Sequence, residues 1–366
     1  MSIVFLNHAY LPAEEAKISP MDRGFLFGDS IYEVLPSYNG EIIGFNLHIN
    51  RLNRNMSAIG IRLEWPHDEW MKVCKALLEK NGLGNLGIYL QVSRGTAPVR
   101  SHAYTKDIDP TVFAFSFEIN PEQSASKSKV TPYKVATSLD LRWARCQIKS
   151  TALLGNVMHF QHGHQKGFNE TLLYNDHNEL TEGSTCNAYI VKNGVISTPS
   201  LDNHVLPGVT RHILLDLLRR NDSMQIEERV ILMDEVFAAD EVWVTSSSKE
   251  IIPVIEVDVK TIGNGEVGDV WLAAQKIYSI CIFFLLYTSP LPRVPPSSLF
   301  SSSSFFFLFL FFFFSSFFFL FFFSFFFSFF SFFFFFFLFL SFFFSFSFFF
   351  FFFSFFFLFL SFFLFL

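Results

Sequence analysis

The chain changes its chemistry at about Ser279, and that break limits what can fold. From Met1 to about Tyr278 charged, apolar and turn residues are interspersed, as in a water-exposed globule with an apolar core. Beyond it the chain is nearly all Phe, Ser and Leu; no charged residue follows Arg293, and of the 56 Phe only ten precede Ser279. A long charge-free apolar run suggests membrane spans. Yet from Ser297 onward there is no Ala, Val, Ile or Gly to pack helices closely and no flanking charge to orient them. Phe, Ser and Leu share codons built only from pyrimidines, so a pyrimidine-rich nucleotide tract read in frame yields this composition. Residues 279–366 are therefore expected to be an artefact of sequence origin, disordered and no part of the fold. A membrane-anchored or structural protein is the competing reading, and it expects a product that needs detergent.

The remaining stretch of about 280 residues is long enough for a sizeable core in one large or two smaller domains. Without Arg293 it carries 26 basic against 33 acidic residues. Mild acidity gives no support to nucleic-acid binding, which calls for a basic patch. Cys74, Cys146 and Cys186 are scattered without CxxC spacing, so neither a disulfide framework nor a zinc site is indicated, and Cys146 is expected to serve packing. Met1 to Tyr10 has no basic start followed by an apolar core, so no signal peptide is expected and a reducing cytoplasm is the default location.

Strand and helix signals alternate irregularly along this stretch. Ile3 to Leu6 and Ala9 to Leu11 suggest an opening hairpin. Ile31 to Leu35 runs to Asn39-Gly40, a strong two-residue turn, and returns through Glu41 to Phe45. Ile49, Leu52, Met56 and Ile59 then repeat at helical spacing with Asn46 as the expected cap. Asp68 to Lys80 predicts a second helix, before strands at Gly87 to Ser93 and Thr111 to Phe117. Polar, aperiodic residues 121–130 predict a linker between a smaller N-terminal domain (1–120) and a larger C-terminal one (131–278). Beyond it come a strand at Tyr133 to Ser138, a helix over Ala152 to Lys166, strands at Glu170 to Tyr174 and Asn187 to Val191, a hairpin at Asn193-Gly194, a helix starting near Thr210 and a strand at Glu241 to Thr245. Hairpins in both halves argue for an α+β protein rather than a parallel doubly wound sheet.

Lys149 and Glu182 carry the chemical signal. Lys149 stands among residues of mixed polarity just before an apolar helical stretch, and Glu182 stands in a Thr181-Glu182-Gly183-Ser184 turn between strand-like runs. A lysine able to form an imine, plus a carboxylate able to face a pyridinium nitrogen, is the minimum kit for pyridoxal phosphate chemistry. Gly208-Val209-Thr210 opens an amphipathic helix whose free N–H groups suit a phosphate, and Thr245-Ser246-Ser247-Ser248 adds hydroxyls after a strand. Arg51 lies on the polar side of its helix, and Arg100 and His102 occupy a Gly/Pro-punctuated loop where a guanidinium and an imidazole suit a carboxylate. Taken singly, each of these is also what a solvated surface residue, a helix cap or a mobile polar loop looks like.

Together the pieces resemble a known family. Residues Asp22 to Glu33, the run from Arg142-Trp143 to Lys149-Ser150, the Thr181 to Ser184 segment, the helix start Gly208 to Arg211 and the loop Thr245 to Ser247 resemble, in order, the motifs of the class IV (fold type IV) pyridoxal-phosphate aminotransferases. Within that family, Tyr32-Glu33-Val34, Asn39-Gly40 and Arg100-Ser101-His102 look most like the D-amino-acid aminotransferases. The likeness covers about residues 3 to 278.

The resemblance implies two α/β domains with the active site at their interface and pyridoxal 5'-phosphate as cofactor. It implies that Lys149 holds the cofactor as an imine and moves the substrate Cα proton, and that Glu182 pairs with the ring nitrogen. Arg51, Val209, Thr210 and Ser247 would hold the phosphate. Tyr32, Arg100 and His102 would receive the substrate α-carboxylate, the last two from the neighbouring subunit of a homodimer. The implied reaction exchanges the amino group of a D-amino acid such as D-alanine with a 2-oxo acid such as 2-oxoglutarate, giving pyruvate and D-glutamate. One departure stands out: Val99 separates Pro98 from Arg100, where the family pattern has the arginine directly after the proline. Branched-chain L-amino-acid aminotransferases, aminodeoxychorismate lyases and (R)-amine transaminases share the same core residues and remain the rival readings.

Overall fold

The computed structural model describes residues 2–105, 107–221 and 224–287. A six-stranded sheet forms the first half. Its strands are β1 (Ile3–Leu6), β2 (Ala9–Pro12), β3 (Ser30–Tyr38), β4 (Glu41–Ile42), β5 (Leu86–Ser93) and β6 (Thr111–Glu118), in spatial order β2-β1-β6-β5-β3-β4. Every pairing in it is antiparallel. Alternation along β3 decides its faces: Ile31, Glu33 and Leu35 are fully buried, while Tyr32 and Val34 face the other side and remain half-buried. Short helix α1 (Arg23–Phe27) precedes β3. Helices α2 (Phe45–Ala58) and α3 (His67–Asn81) close the buried face, where Ile49, Leu52, Trp70, Leu77 and Ile88 form the first core.

Two expectations shift here. The return strand of the Asn39-Gly40 hairpin is only Glu41–Ile42, and α2 begins at Phe45, capped by Gly44 in the left-handed region (φ 65°) instead of by Asn46. Apolar Ile43 and Phe45 are buried in cores, so the chain turns into the helix earlier than its polar residues suggest.

Residues 119–132 carry no helix or strand. The second half holds a nine-stranded sheet of β7 (Tyr133–Leu139), β8 (Glu170–Tyr174), β9 (Leu180–Gly183), β10 (Asn187–Lys192), β11 (Val195–Thr198), β12 (Gln225–Glu228), β13 (Glu241–Ser246), β14 (Glu250–Val257) and β15 (Lys260–Thr261). Its order is β12-β11-β10-β13-β14-β7-β8-β9, with β15 on β14. The sheet is mixed: β7 runs parallel to both β8 and β14, and β11 parallel to β12. Helices α4 (Leu154–His164), α5 (Val209–Arg219), α6 (Met233–Phe237) and α7 (Asp269–Tyr287) surround it. Leu214, Trp243 and Trp271 build one core, which also takes Tyr38 and Ile43 from the first half. Val236, Val244 and Val254 build the other. Both sheets lie within one compact unit of the chain.

Two further boundaries move. Glu182 lies within β9 and not in a turn, because Leu172 pairs with Gly183 and Tyr174 with Leu180 across β8. Helix α7 runs past the expected limit at Tyr278, since Ile282 is 1% exposed in the second core. The remainder of the Phe-rich stretch, 288–366, lies outside the described residues. Among the described residues no helix is long and apolar enough to cross a membrane.

Candidate active site

The lysine is mounted on the first sheet although it belongs to the second half. Tyr32 N–H donates to Lys149 O at 3.0 Å, Thr151 N–H donates to Ser30 O at 3.0 Å, and Ile31 and Ser150 form an antiparallel bridge between them. Lys149 Nζ stands 4.2 Å from the centre of the Tyr32 ring. At this distance an ammonium group and an aromatic π-face attract each other.

A cavity of about 460 Å³, the size of a small-ligand site, opens in front of Lys149. Its wall brings together Tyr32, Arg51, Lys149, Glu182, Val209, Thr210 and Ser247, seven of the nine residues singled out in the sequence. Arg100 and His102 are not in it. Both are exposed, with the Arg100 guanidinium 4.9 Å and the His102 ring 5.4 Å from the centre of the Phe27 ring. Arg23 fixes that loop by donating Nη1 to Ser101 O at 2.6 Å and Nη2 to His102 O at 3.1 Å.

Glu182 is 4% exposed and surrounded by donors. Arg142 Nη1 reaches Oε1 at 2.6 Å, while Asn187 Nδ2 at 3.1 Å and Leu206 N–H at 3.0 Å reach Oε2. Burial pushes this carboxyl up to about 7, against the opposing pull of Arg142 and the Leu206 N–H. Arg142 is itself held by Asp140, through Nε at 2.9 Å and Nη2 at 2.7 Å, and Thr181 Oγ1 donates to the same Asp140 at 2.9 Å. A carboxyl so braced presents a fixed oxygen edge to the cavity.

The far end is built to take an anion. Val209 and Thr210 open α5, and among the described residues neither N–H donates to another backbone group; such N–H groups carry the positive end of the helix dipole. Gly208 is required by close approach: a Cβ there would collide with Asn187 Oδ1. Ser246 Oγ, also on the wall, is buried without a partner among the described residues. A buried orphan hydroxyl is costly unless a ligand satisfies it.

Arg51 is 4% exposed, so the polar side of α2 is buried too, with His48 and Asn55 beside it. Its Nε and Nη2 donate to Glu33 at 2.6 and 2.8 Å, and Nη1 donates to Pro207 O at 2.8 Å, which ties α2 to the approach of α5. A guanidinium carries more N–H groups than these three, and the rest are available to an anion. Burial alone would raise Glu33, but Arg51 and the His48 Nδ1 at 2.7 Å overrule it and hold the carboxyl at about 2. His48 is kept neutral by its burial.

Sequence reasoning missed Glu33, Asp140, Arg142 and Asn187 as supporting residues, whereas Ser246 stands in the hydroxyl loop it singled out. Glu33 had a signal: a charged residue in register with Ile31 and Leu35 must be a buried, partnered one. Arg142, braced by Asp140, gave no sign of reaching Glu182, forty residues on, and Asn187 gave none of holding both Glu182 and Leu206. Cys146 lines the cavity, donates to Trp143 O at 3.1 Å and is pushed up to about 11 by burial, which keeps it a protonated packing group.

Comparison with known proteins fits this geometry. The family model described as amino-transferase class IV matches residues 30–257. A D-alanine aminotransferase of Staphylococcus haemolyticus is 34% identical over 277 residues, spanning 75% of this chain and 96% of that protein. One of Bacillus licheniformis is 38% identical over 265 residues, spanning 72% and 92%. Among solved structures, the Escherichia coli branched-chain amino acid aminotransferase superposes with a TM-score of 0.69 at 20% identity, covering 80% of this chain and 97% of that one. The branched-chain aminotransferase of Thermoproteus uzoniensis gives a TM-score of 0.69 at 22% identity, covering 79% and 96%. At those identities the structures speak for the fold.

Proposed function

The chain belongs to the class IV aminotransferases, and we propose that it exchanges the amino group of a D-amino acid such as D-alanine with a 2-oxo acid such as 2-oxoglutarate. One observation carries this reading: Lys149, the braced carboxylate of Glu182 and an anion cup at the start of α5 line a single cavity. The D-handedness is supported by the D-alanine aminotransferase relatives.

Pyridoxal 5'-phosphate fits the donor set. The N–H groups of Val209 and Thr210, the orphan Ser246 hydroxyl, Ser247 and the uncommitted N–H groups of Arg51 suit its phosphate, and Glu182 suits a protonated ring nitrogen. When bound, the cofactor supplies an electron-accepting ring that makes the substrate Cα–H acidic. Glu182, fixed by Arg142, Asn187 and the Leu206 N–H, holds a proton on the atom facing it. Lys149 Nζ would remove the substrate Cα proton as a tethered base. Tyr32, against Nζ, stabilises the ammonium that results. The fixed position of Lys149 on β3 makes the reaction stereospecific, since only a Cα–H turned towards Nζ is removed.

In the same reading Arg100 and His102 receive the α-carboxylate in the cavity of a neighbouring subunit. Their exposure supports this, as do apolar side chains left open to solvent, Val99 at 66% in the same loop and Leu154 at 72% next to the lining residue Leu153. The test is a donor comparison with 2-oxoglutarate as acceptor. Pyruvate formed from D-alanine, with L-leucine inert, is the expected result. Turnover of L-leucine with D-alanine inert would replace the reading by that of a branched-chain L-amino-acid aminotransferase.

A further inference from the structure

Four cationic side chains line the cavity: Arg51, Arg142, Lys149 and Lys249. Three are accounted for. Arg51 is paired with Glu33, Arg142 with Asp140 and Glu182, and Lys149 is the reactive amine. Lys249 makes no ion pair among the described residues; its Nζ rests 5.3 Å from the centre of the Tyr133 ring.

Glu250, next to it in sequence, and Glu170, which acts with it on Cys186, are committed elsewhere. Glu250 accepts from Tyr38 OH at 3.0 Å, Gln275 Nε2 at 3.0 Å and Gln123 N–H at 3.3 Å. Glu170 accepts from Thr171 N–H at 2.7 Å and from the Ser184 and Thr185 hydroxyls. The main chain of Lys249 is anchored, since its carbonyl accepts from Gln123 Nε2 at 2.9 Å. Its charge also acts on Cys186 of the same wall, opposing the upward push that burial gives that thiol. An uncompensated cation is thus held at the Thr185–Cys186 side of a cavity proposed to bind amino acids.

We propose that Lys249 recognises the second carboxylate of dicarboxylic substrates, the distal group of 2-oxoglutarate and D-glutamate. The inference rests on the reading above and deepens it. Transamination between D-alanine and 2-oxoglutarate forces one cavity to accept a side chain that is a methyl in one half-reaction and ends in a carboxylate in the other. A rigid guanidinium there would be left as a buried, unpaired charge against the methyl. A lysine has a flexible stem, and here a second resting place over the Tyr133 ring, so it reaches out to a carboxylate and withdraws from a methyl.

The test compares Lys249→Met and Lys249→Arg with the parent holoenzyme. In Lys249→Met the ratio of kcat/KM for D-glutamate to that for D-alanine falls about tenfold or more, the scale of one charge-assisted hydrogen bond; Lys249→Arg keeps the ratio at or above the parental value, its loss falling on D-alanine. Calorimetry with glutarate and propionate reads the same site without turnover, and only glutarate binding weakens in Lys249→Met. An unchanged ratio in Lys249→Met, or equal losses for both substrates and both acids, overturns the proposal. So does a loss of cofactor affinity in Lys249→Met, which would make Lys249 an anchor for the phosphate. If the parent enzyme fails to turn over D-alanine, the D-amino-acid reading falls by itself, and the glutarate measurement still decides the role of Lys249.

Discussion

Glu33 sits fully buried on β3 and is worth more to the site than its absence from the cavity wall suggests. It accepts from both Nε and Nη2 along one edge of the Arg51 guanidinium, and Arg51 in turn holds Pro207 at the approach to α5. Replacing Glu33 by Gln leaves Arg51 buried beside a neutral amide. We expect a loss of about 3–5 kcal/mol in denaturant unfolding and weaker cofactor retention in an absorbance titration. The pH dependence has a definite sign. The folded carboxyl is held at about 2 against an ordinary 4.5, so its stabilisation is complete above about 4.5 and is lost as pH falls towards 2. The difference in melting temperature between parent and Glu33→Gln should therefore shrink across that window and stay constant above it. Lys149 and Glu182 were legible in the sequence because their residue types, order and neighbouring motifs carry chemistry. The Arg142–Glu182 contact was not, since hydrogen-bond partners forty residues apart leave no local pattern.

At the scale of elements, the junction before α5 is the sensitive point. Asn187 on β10 donates from Nδ2 to Glu182 at 3.1 Å and to Leu206 O at 2.8 Å, and its Oδ1 lies where a Cβ on residue 208 would go. Gly208→Ala must displace Asn187 and disturb both the carboxylate and the anion cup. A cost of about 1–3 kcal/mol is expected in cofactor binding, checked by equilibrium dialysis of the cofactor against each protein. Elements with strong local patterns were readable: the Asn39-Gly40 hairpin, the apolar repeat of α2, the strands β5 and β6. Strand β9 was not, because Thr181-Glu182-Gly183 has the composition of a turn and becomes a strand only by pairing with β8. The same holds for the place of β7 in its sheet, whose parallel partners β8 and β14 come from well separated parts of the chain.

For the whole molecule, the compositional break and the end of the fold do not coincide. Helix α7 carries Ile282 into the second core beyond the last expected residue. A protein ending at Tyr278 should therefore be less stable than one ending at Tyr287, by about 2–4 kcal/mol, measured by thermal unfolding of the cofactor-loaded forms. The proposed supply of Arg100 and His102 by a neighbouring subunit predicts complementation. Equal mixtures of Lys149→Ala and Arg100→Ala subunits, unfolded and refolded together, should recover about a quarter of the parental sites, since half the dimers are mixed and each has one intact cavity. Activity no higher than the mean of the two parents would refute a clamp supplied across the dimer. The attachment of residues 149–151 to β3 constrains motion as well. The two sheets cannot part like jaws while Tyr32 N–H holds Lys149 O and Thr151 N–H holds Ser30 O. Substrate traffic is left to loops at the rim, and the Tyr32 amide should exchange with deuterium as slowly as the centre of the sheet, even in the middle of turnover.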